Sequence, residues 1–493
     1  MTTVIDDNLF PVPSRHGAPN RDLVLPKSRP GVSVASTTTL REVLTDNHTR
    51  WHIFFNDKGF HNHTAHAALT LWALGADPAI VKASYEENSS YQRPAFESPG
   101  PITITTWKDH LGDETYYQAY LRFFEAELKT KSFSKMFDEY IFSPDANYIK
   151  GAERQPEMAT RFLEGLLHPM IHIGFGVEFT LPGIFAEGFA QTVVHKSTSS
   201  KVAPSRWFEL PSAGLVSRFT EVVGFTNKGS TPDIHAFSIL ARVLKDPELG
   251  GFKKPPPQVN FFPELIETYG DAIVKYVDQW TLDGNLEKKV QELLWVNTLL
   301  YGVGGAVNKE QFNADFFLMH IVTSSLFLSE VFAEVPRYSQ VALLRSYFAA
   351  CLGWFIGRGR PQLDIAGFFS DPDTARPSAP GPHPTPHEGV NPSPSAPEAV
   401  TPNGWLPIIQ STLAHPDDHL PKLQRSLSEY AIHFGLTPAG TFKNTELKDA
   451  ELIDGTLFIR AAGLTLSRLG WVREGQAPGA WDMSGFFDLP SKL

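Results

Sequence analysis

Cysteine is almost absent from this sequence: Cys351 is the single cysteine among 493 residues. One thiol cannot form an internal disulfide, and zinc or iron–sulfur sites built from several cysteines are excluded. Cys351 lies in the apolar run YFAACLGWFIG, which indicates a buried packing residue and not a nucleophile. This composition suits a reducing compartment, and we expect a cytoplasmic protein.

Basic charge and long apolar runs are scarce as well. The chain carries 43 Lys and Arg residues against 54 Asp and Glu residues, a net charge of −11, and it has no Lys/Arg-rich run. This balance argues against a nucleic-acid partner, because such binders usually carry a basic face. The first residues do not resemble a secretory signal, and no uninterrupted apolar window is long enough to predict a membrane span. We therefore expect neither nucleic acid nor a membrane as a partner, and the oligomeric state stays open.

Signatures of common cofactor and hydrolase sites are also missing. No P-loop, HExxH or GxSxG motif occurs in the chain. The stretch nearest to the dinucleotide fingerprint GxGxxG is GVGGAV at residues 302–307, which lacks the third glycine and a surrounding βαβ pattern. We interpret it as a loop turn, and we expect no flavin or nicotinamide domain of that type.

Apolar residues recur at helical spacing through most of the chain, which predicts a mainly α fold, one large multi-helix domain with few short strands. Helices are predicted over residues 63–75, 78–89, 113–129, 156–168, 235–245, 262–280, 286–301, 311–333, 338–357, 417–434 and 459–470. One of the few strand signals is PITITT at residues 101–106.

Composition divides the chain into four segments. Residues 1–35 lack clear periodicity and are interpreted as an extended N-terminal arm, and residues 36–370 form the predicted helical catalytic body. Residues 371–403 contain ten prolines interleaved with small polar residues, which predicts a disordered insertion because this composition cannot bury a core. Residues 404–493 are predicted to be a C-terminal helical portion that packs on the body.

Histidine is the residue with the most informative placement. Several of the 17 histidines fall in apolar, helix-forming contexts: His61, His63 and His66 in HNHTAH, His168 and His172 in HPMIH, His320 in FFLMHIVTSSLFL, and His415 and His419 in HPDDHLPK. Histidines three or four positions apart share a helix face and can direct two imidazoles at one ion. Pro169 disfavours helical geometry at His168, so the HPMIH pair is expected to straddle a kink.

Recurrence of these histidines favours a shared metal. A single histidine on an apolar face is usually a core residue satisfied by one hydrogen bond, whereas several buried rings each need a partner. The residues alone leave zinc, copper, iron and nickel open. An aromatic content of 12% favours a hydrophobic substrate and, weakly, oxygen activation.

At FHNHTAHAALTLWALGAD (60–77) and YEENSSYQRP (85–94) the chain resembles the questin oxidase-like family of fungal aromatic-polyketide biosynthesis. Matching stretches continue through LLHPMIHIGFGVEF, FFLMHIVTSSLFL, WFIGRGRP, HPDDHLPKLQRSL and DGTLFIRAAGLTLSRLGWVREG. The resemblance implies an all-helical, non-haem iron mono- or dioxygenase that uses O2. Its expected reaction opens the quinone ring of an anthraquinone-type polyketide with a Baeyer–Villiger-like outcome. NADPH is a candidate reductant, although the sequence shows no fingerprint for it.

The resemblance also assigns roles to individual residues. It places the Fe(2+) ligands among His63, His66, His168, His172 and His320, and it makes Lys422, as a carbamate formed with carbon dioxide, a further candidate ligand. The alternative for Lys422 is a solvated surface lysine paired with Asp417 or Asp418. Candidate catalytic bases are His61 and His63, and candidate hydrogen-bonding partners of the ligands are Glu178, Thr323 and His419. Arg358 and Arg360 either cap the preceding helix or contact a phenolate.

Three other functions fit the residues. The first is a metal-independent, NADPH-using monooxygenase whose histidines act as bases. The second is a hydrolase with a metal cluster, for which Asp233 beside His235 is the one suggestive carboxylate. The third is a non-enzymatic helical protein that binds aromatic metabolites. Metal removal and oxygen consumption with an anthraquinone distinguish these functions from an iron oxygenase.

Overall fold

The computed structural model describes residues 4–14, 29–198, 200–209, 233–252, 261–307 and 311–487. Within them the chain forms 18 α-helices and three isolated β-bridges. The prediction of a mainly α fold is therefore confirmed. In chain order the helices are α1 Val34–Arg50, α2 Thr64–Ala73, α3 Pro78–Ser89, α4 Tyr117–Leu128, α5 Phe133–Phe137, α6 Pro144–Asn147, α7 Met158–Phe179, α8 Pro182–Val194, α9 Ala236–Lys245, α10 Phe262–Val277, α11 Leu286–Gly305, α12 Phe316–Glu334, α13 Gln340–Gly357, α14 Ile365–Ser370, α15 Pro397–Val400, α16 Trp405–Leu413, α17 Leu420–Phe434 and α18 Leu457–Leu469.

Helices α7 and α12 form the centre of the fold. Helix α7 packs along α8 and α12, while α12 also contacts α11, α13 and α17. Helix α17 reaches back to α2, so a C-terminal helix lies directly against an N-terminal one. Nearly all residues of α8 and α12 are buried, and these helices therefore provide rigid walls for whatever lies between them.

Two helices, α12 and α13, are long and apolar enough to cross a membrane by length and composition alone. However, 89% of the most apolar window of each is buried inside the protein. Their apolar side chains are used in packing against each other and against α7, as in the core helices of globular proteins.

Two local predictions are wrong. Residues 101–106 form turns instead of a strand, because Thr103 and Thr106 satisfy their own backbone: the Thr103 N–H donates to the Thr106 hydroxyl at 3.0 Å, and the Thr106 N–H donates to the Thr103 carbonyl at 3.1 Å. The GVGGAV stretch is not a loop turn, since residues 302–305 complete α11. A Cβ at Gly302 would lie 3.1 Å from the Ala461 side chain, so this glycine permits α11 and α18 to pack closely.

The proline-rich segment, residues 371–403, is irregular apart from the short helix α15, and most of it is exposed. Arg376 and Glu398 pair across it at 2.6 Å. Its disorder and the division of the chain into four segments stay predictions. Residues 15–28 of the expected N-terminal arm lie outside the described residues.

Helix α7 is interrupted just before His168. Residues 165–167 have left-handed backbone, with φ of 54°, 59° and 67°, and only the first of them is glycine. Pro169 then opens the second half of the helix, where its missing N–H leaves no bond unmade. The predicted helix 156–168 overlaps α7 but runs through this break and ends too early, and the expectation that His168 and His172 straddle a kink is wrong. Both follow the break and lie one turn apart on one helical segment.

Candidate metal and oxygenase site

Segments that are distant in sequence meet at one buried point. His63 precedes α2, His168 lies on α7, His320 lies on α12, and His419 precedes α17. Their rings form a closed circuit with centroid separations of 4.9, 5.0, 5.1 and 4.5 Å for successive pairs. We call these residues the four-histidine cluster. The structure thus brings together three of the predicted ligands and His419, which the sequence indicated only as a partner of the ligands.

Oxygen acceptors fix the outer nitrogen of each ring in the cluster. Asp418 accepts from Nδ1 of His63 at 2.8 Å and from Nδ1 of His419 at 2.6 Å. The carbonyls of Gly165 and Phe316 accept from Nδ1 of the other two rings. Burial opposes ionisation of Asp418, but the two neighbouring imidazoles hold its pKa well below its usual range. Carboxylates and carbonyls placed in this way orient histidines that bind metals.

The inner nitrogens are left without hydrogen-bond donors, and those of His63 and His168 face each other. Because each Nδ1 atom donates its proton outward, Nε2 of each neutral ring can only accept. Nε2 of His63 lies 2.7 Å from Nε2 of His168, and Nε2 of His320 and of His419 are buried without a hydrogen-bond partner among the described residues. Each such unpaired nitrogen costs about 1–3 kcal/mol, and facing lone pairs add repulsion. A cation between the four rings would remove both penalties.

The spacing of these nitrogens is suited to one ion. Ligand nitrogens of His63, His168 and His419 all lie within 4.8 Å of one another. Imidazole nitrogens bind transition metals at about 2.0–2.1 Å, so a central ion reaches such a set with small movements of the rings. No thiolate is present, and imidazole-only sites suit iron, copper, nickel or zinc.

His66 and His172 adjoin the cluster but bond to each other. Nε2 of His66 lies 3.0 Å from Nδ1 of His172, and Nε2 of His172 donates to Glu187 at 2.8 Å. The second oxygen of Glu187 accepts from His48 at 2.6 Å, and His48 donates its other N–H to Glu125 at 2.8 Å. This series of five residues runs from the cluster to the partly exposed Glu125. We call it the His66–Glu125 series.

His48 is the charged member of this series. Burial opposes its protonation, but hydrogen bonds to Glu125 and Glu187 and their negative charges raise its pKa to about 9. Burial likewise opposes ionisation of Glu187, and the bonds from His172 and His48 lower its pKa to about 2. The sequence analysis missed both His48 and Glu187, because neither lies in a histidine pair. The signal that could have indicated Glu187 is its position as the single charged residue in the apolar run PGIFAEGFAQ.

Lys422 lies in the first turn of α17, three positions after His419. It is 4% exposed, and its Nζ has no hydrogen-bond partner among the described residues. Burial holds its pKa below the ordinary value, although Asp418 and Asp417 act in the opposite direction. Burial, and after it the charge of Lys422, lowers the pKa of His63 to about 3. The alternative of a solvated surface lysine is therefore wrong.

His61 lies beside the four-histidine cluster. Its ring stacks on His168 with centroids 4.0 Å apart, and its Nε2 lies 2.7 Å from Nε2 of His195, the residue that ends α8. Gly165 makes room for this pair, since a Cβ there would come within 2.7 Å of both rings. Burial lowers the pKa of both histidines, that of His195 to about 3 with the Arg161 charge adding to the effect. Burial therefore favours the neutral form of both rings, and in their shared hydrogen bond one Nε2 donates to the other.

A cavity of about 1140 Å³ opens beside these histidines, and its walls include His61, His63, His168 and His419. Aromatic side chains cover much of the remaining wall: Phe54, Phe55, Phe60, Tyr91, Phe262, Phe316, Phe317 and Trp354. Ligand pockets of about 300–1,000 Å³ enclose drug-sized molecules. This aromatic cavity is therefore large enough for a flat, polycyclic molecule in contact with the cluster.

Two of the expected hydrogen-bonding partners have other roles. Glu178 forms a buried ion pair with Arg425. The hydrogen bond to a histidine that was expected of Glu178 is made instead by Glu187, which accepts from His172. The Thr323 hydroxyl donates to the carbonyl of His320 at 3.1 Å, a bond within the helix that leaves the imidazole to other partners. Both roles were expectations from the resemblance, which does not show which neighbouring helix comes closer.

Arg358 anchors the helix that carries His320. It donates from Nε and Nη2 to Asp315 at 2.9 and 2.7 Å, and both side chains are at most 2% exposed. Asp315 in turn caps the N-terminus of α12. Arg360 donates to the carbonyl of Val243 at 2.7 Å, at the end of α9. Arg358 is thus the C-cap residue of α13 through its backbone N–H, as expected, whereas both guanidinium groups bind other partners.

The residues expected of a hydrolase lie in a different group. Asp233 accepts from Lys289 at 2.7 Å, and His235 lies 3.9 Å from Glu292. Lys289 also donates to Glu292. Ion pairs on α11 therefore account for this carboxylate and this histidine.

Comparison with known proteins identifies the family of this chain. The sequence matches the family described as questin oxidase-like over residues 60–427. It is 28% identical over 443 residues to the Baeyer–Villiger oxidase ptaJ of Pestalotiopsis fici, covering 86% of each chain. It is 25% identical over 412 residues to the questin oxidase of Aspergillus terreus, covering 80% of each chain, and 25% identical over 397 residues to the oxidoreductase AflY of Aspergillus parasiticus, covering 78% of this chain and 71% of that one. The chain is thus an oxidoreductase and belongs to the questin oxidase-like family.

Proposed function

We propose that the chain is an iron-dependent oxygenase that opens the quinone ring of an anthraquinone-type aromatic polyketide. The observation that carries this proposal is the convergence of the ligand nitrogens of His63, His168 and His419 within 4.8 Å of one another, next to the unpartnered Nε2 of His320 and beside an aromatic cavity. When bound, Fe(2+) would supply the activation of O2. The names of two relatives, a Baeyer–Villiger oxidase and a questin oxidase, support an oxidative ring opening. NADPH is the proposed diffusible reductant where the reaction needs one.

The residues present fit an Fe(2+) ion. We propose His63, His168, His320 and His419 as its ligands, because their rings form one circuit and their Nε2 atoms lack hydrogen-bond donors. Nδ1 of His66 is also buried without a partner among the described residues, but its ring lies outside this circuit. His66 and His172, which the sequence also suggested as ligands, share a hydrogen bond with each other. In this proposal they support the site from behind, through Glu187, and do not bind the ion.

Lys422 fits the role of an anionic ligand once it is modified. Its neutral amine would attack carbon dioxide, so that an N–C bond forms and a proton is released, which leaves a carbamate. The lowered pKa favours the neutral amine that this step requires. A buried ammonium without a hydrogen-bond partner is costly, whereas a carbamate beside a divalent cation is compensated.

The cavity and the His61–His195 pair supply the remaining functions. Aromatic walls would hold a flat substrate against the cluster and exclude water from it. His61 lines the cavity, so its imidazole is placed to accept the proton of a phenolic hydroxyl. His195, with its Nε2 2.7 Å from that of His61, would share this proton and keep the base oriented.

Metal analysis together with oxygen uptake tests the proposal. The purified chain is expected to contain about one iron per molecule, the content of a mononuclear site. It should consume O2 with a hydroxyanthraquinone, and chelation should abolish uptake until Fe(2+) is restored. Full turnover after complete metal removal would refute the iron model and favour the metal-independent monooxygenase. Substrate binding without O2 uptake in the iron-loaded protein would favour a binding protein.

A histidine variant locates the metal. His320→Ala is expected to lower bound iron by at least about tenfold, since it removes a ligand and not merely a neighbour of one. His110→Ala is the control, because His110 stacks on Tyr116 with centroids 3.7 Å apart and has no part in the cluster. Equal iron content in the two variants would contradict the assignment of the ligands.

A further inference from the structure

A second cavity, of about 400 Å³, adjoins the aromatic cavity. Gly112, Lys196 and Thr198 line both, so the two cavities are separated by no more than these residues, two of which are exposed. The second cavity differs from the first in its chemistry, since no aromatic side chain lines it. A molecule that fills the aromatic cavity can therefore extend a polar group into the second.

Cations dominate the lining of the second cavity. Arg154, Arg161 and Lys196 face it, and Glu157 is the one acidic residue in its wall. Among the described residues, none of the three cations forms an ion pair with a carboxylate. The chain as a whole carries a net charge of −11. Three cations that form no ion pair and line one cavity are therefore unusual in a chain of negative net charge. Their placement points to an anionic ligand.

Arg161 is held rigidly and only partly used. It is 5% exposed, its Nε donates to the carbonyl of Pro156 at 2.8 Å, and its Nη1 donates to the carbonyl of His195. Neither bond uses Nη2. Nearby, the hydroxyl of Ser197 is buried and has no hydrogen-bond partner among the described residues. A guanidinium fixed by two carbonyls and an unpaired hydroxyl are preorganised donors for an oxyanion.

We propose that the second cavity is an anion subsite that binds a carboxylate or phosphate group. Two molecules present such a group at this position: an aromatic ligand that bears a carboxylate, such as the acid formed by ring opening, and a nucleotide reductant that bears phosphates. The placement of the aromatic part rests on the proposed function, whereas the recognition of the anion rests on Arg154, Arg161 and Lys196 alone. Arg161 positions the anion, and the two exposed cations add charge.

Calorimetric titration of metal-free protein tests the subsite. The probes are anthraquinone-2-carboxylate, the uncharged 2-(hydroxymethyl)anthraquinone and NADPH. The test variant is Arg154→Gln with Lys196→Gln, both of which are exposed and make no ion pair, so the fold should persist. The control is Lys82→Gln with Lys275→Gln, which removes the same charge from two exposed helix positions.

The wild-type protein should bind the carboxylate about tenfold more tightly than the alcohol, because Arg154 and Lys196 add their charges to the hydrogen bond that Arg161 donates. The test variant should reduce this ratio to about twofold without weakening the alcohol, and the control should retain it. If NADPH binds in competition with the carboxylate and its affinity falls in the test variant, the natural anion is a phosphate of the nucleotide. If only the affinity for anthraquinone-2-carboxylate falls, the natural anion is the carboxylate of an aromatic ligand. Unchanged affinity of both anions in the test variant would overturn the proposal. Because binding is measured without metal, loss of the iron model leaves this result intact.

Discussion

The His66–Glu125 series makes the stability of the fold depend on pH. His48 donates to a carboxylate from each ring nitrogen, and its pKa is raised from 6.5 to about 9. A raised pKa stabilises the folded protein fully below pH 6.5, and this contribution is lost as the pH rises to about 9. At about 1.36 kcal/mol per pH unit, the contribution amounts to about 3 kcal/mol.

Replacement of Glu187 by Gln isolates this effect. The amide keeps the size of the side chain but removes the negative charge that His48 and His172 contact. Glu125 remains as the second partner, so about half of the alkaline loss should persist in Glu187→Gln. Glu187 itself has a pKa of about 2 against an ordinary 4.5, so its contribution is present above pH 4.5 and lost below it. At pH 6 the variant should therefore be less stable by about 2–3 kcal/mol.

Urea unfolding of metal-free protein, followed at pH 6.0, 7.5 and 9.0, measures these differences. The difference between wild type and Glu187→Gln should narrow as the pH rises, because His48 loses its proton in the wild type; other groups that titrate in this range cancel in the comparison. A difference in unfolding free energy that stays constant from pH 6 to pH 9 would refute the assignment of a charged His48.

Three further substitutions have distinct expected outcomes. Gly165→Ala should destabilise the protein by about 2 kcal/mol or more in urea unfolding, because its φ is 54° and a Cβ would meet two imidazoles; wild-type stability would contradict this. Asp315→Asn should cost about 3–5 kcal/mol, since it leaves the Arg358 guanidinium buried without its counter-charge, and a loss below about 1 kcal/mol would show that the pair is dispensable. Lys422→Met should raise the melting temperature of the metal-free protein, because it removes a buried amine without a partner, while it lowers oxygen uptake; a lower melting temperature would show that Nζ has a stabilising partner.

The sequence was most informative where chemistry and periodicity coincide. His63, His168 and His320 were predicted to converge because each lies in an apolar helical stretch, where an imidazole needs a partner, and the structure places their rings in one circuit. The resemblance to the questin oxidase-like family rested on the same stretches. Helix bounds were close where capping is local: α3 begins at Pro78 after the Asp77 cap, at the predicted residue.

Long-range contacts could not be inferred in this way. His195 and His48 become neighbours of the site only because α8 and α1 pack against α7 and its surroundings, and no spacing in the sequence encodes that packing. The same is true of Glu187, which replaced Glu178 as the acceptor because α8 presents it to His172. Pro169 correctly indicated that the helix is distorted near His168. The break lies before His168, however, because residues 165–167 have left-handed backbone, and two of these residues are leucines, which rarely adopt it.

The first and last rings of the four-histidine cluster come from opposite ends of the chain, since His63 precedes α2 and His419 precedes α17. During translation, a ribosome-bound intermediate that has not yet reached Asp418 lacks both the fourth imidazole and the acceptor that orients His63. On the proposed function, tight iron binding would then require synthesis past His419, and a protein truncated before this residue would be unable to retain iron. Loading would thereby act as a checkpoint that distinguishes complete from truncated molecules.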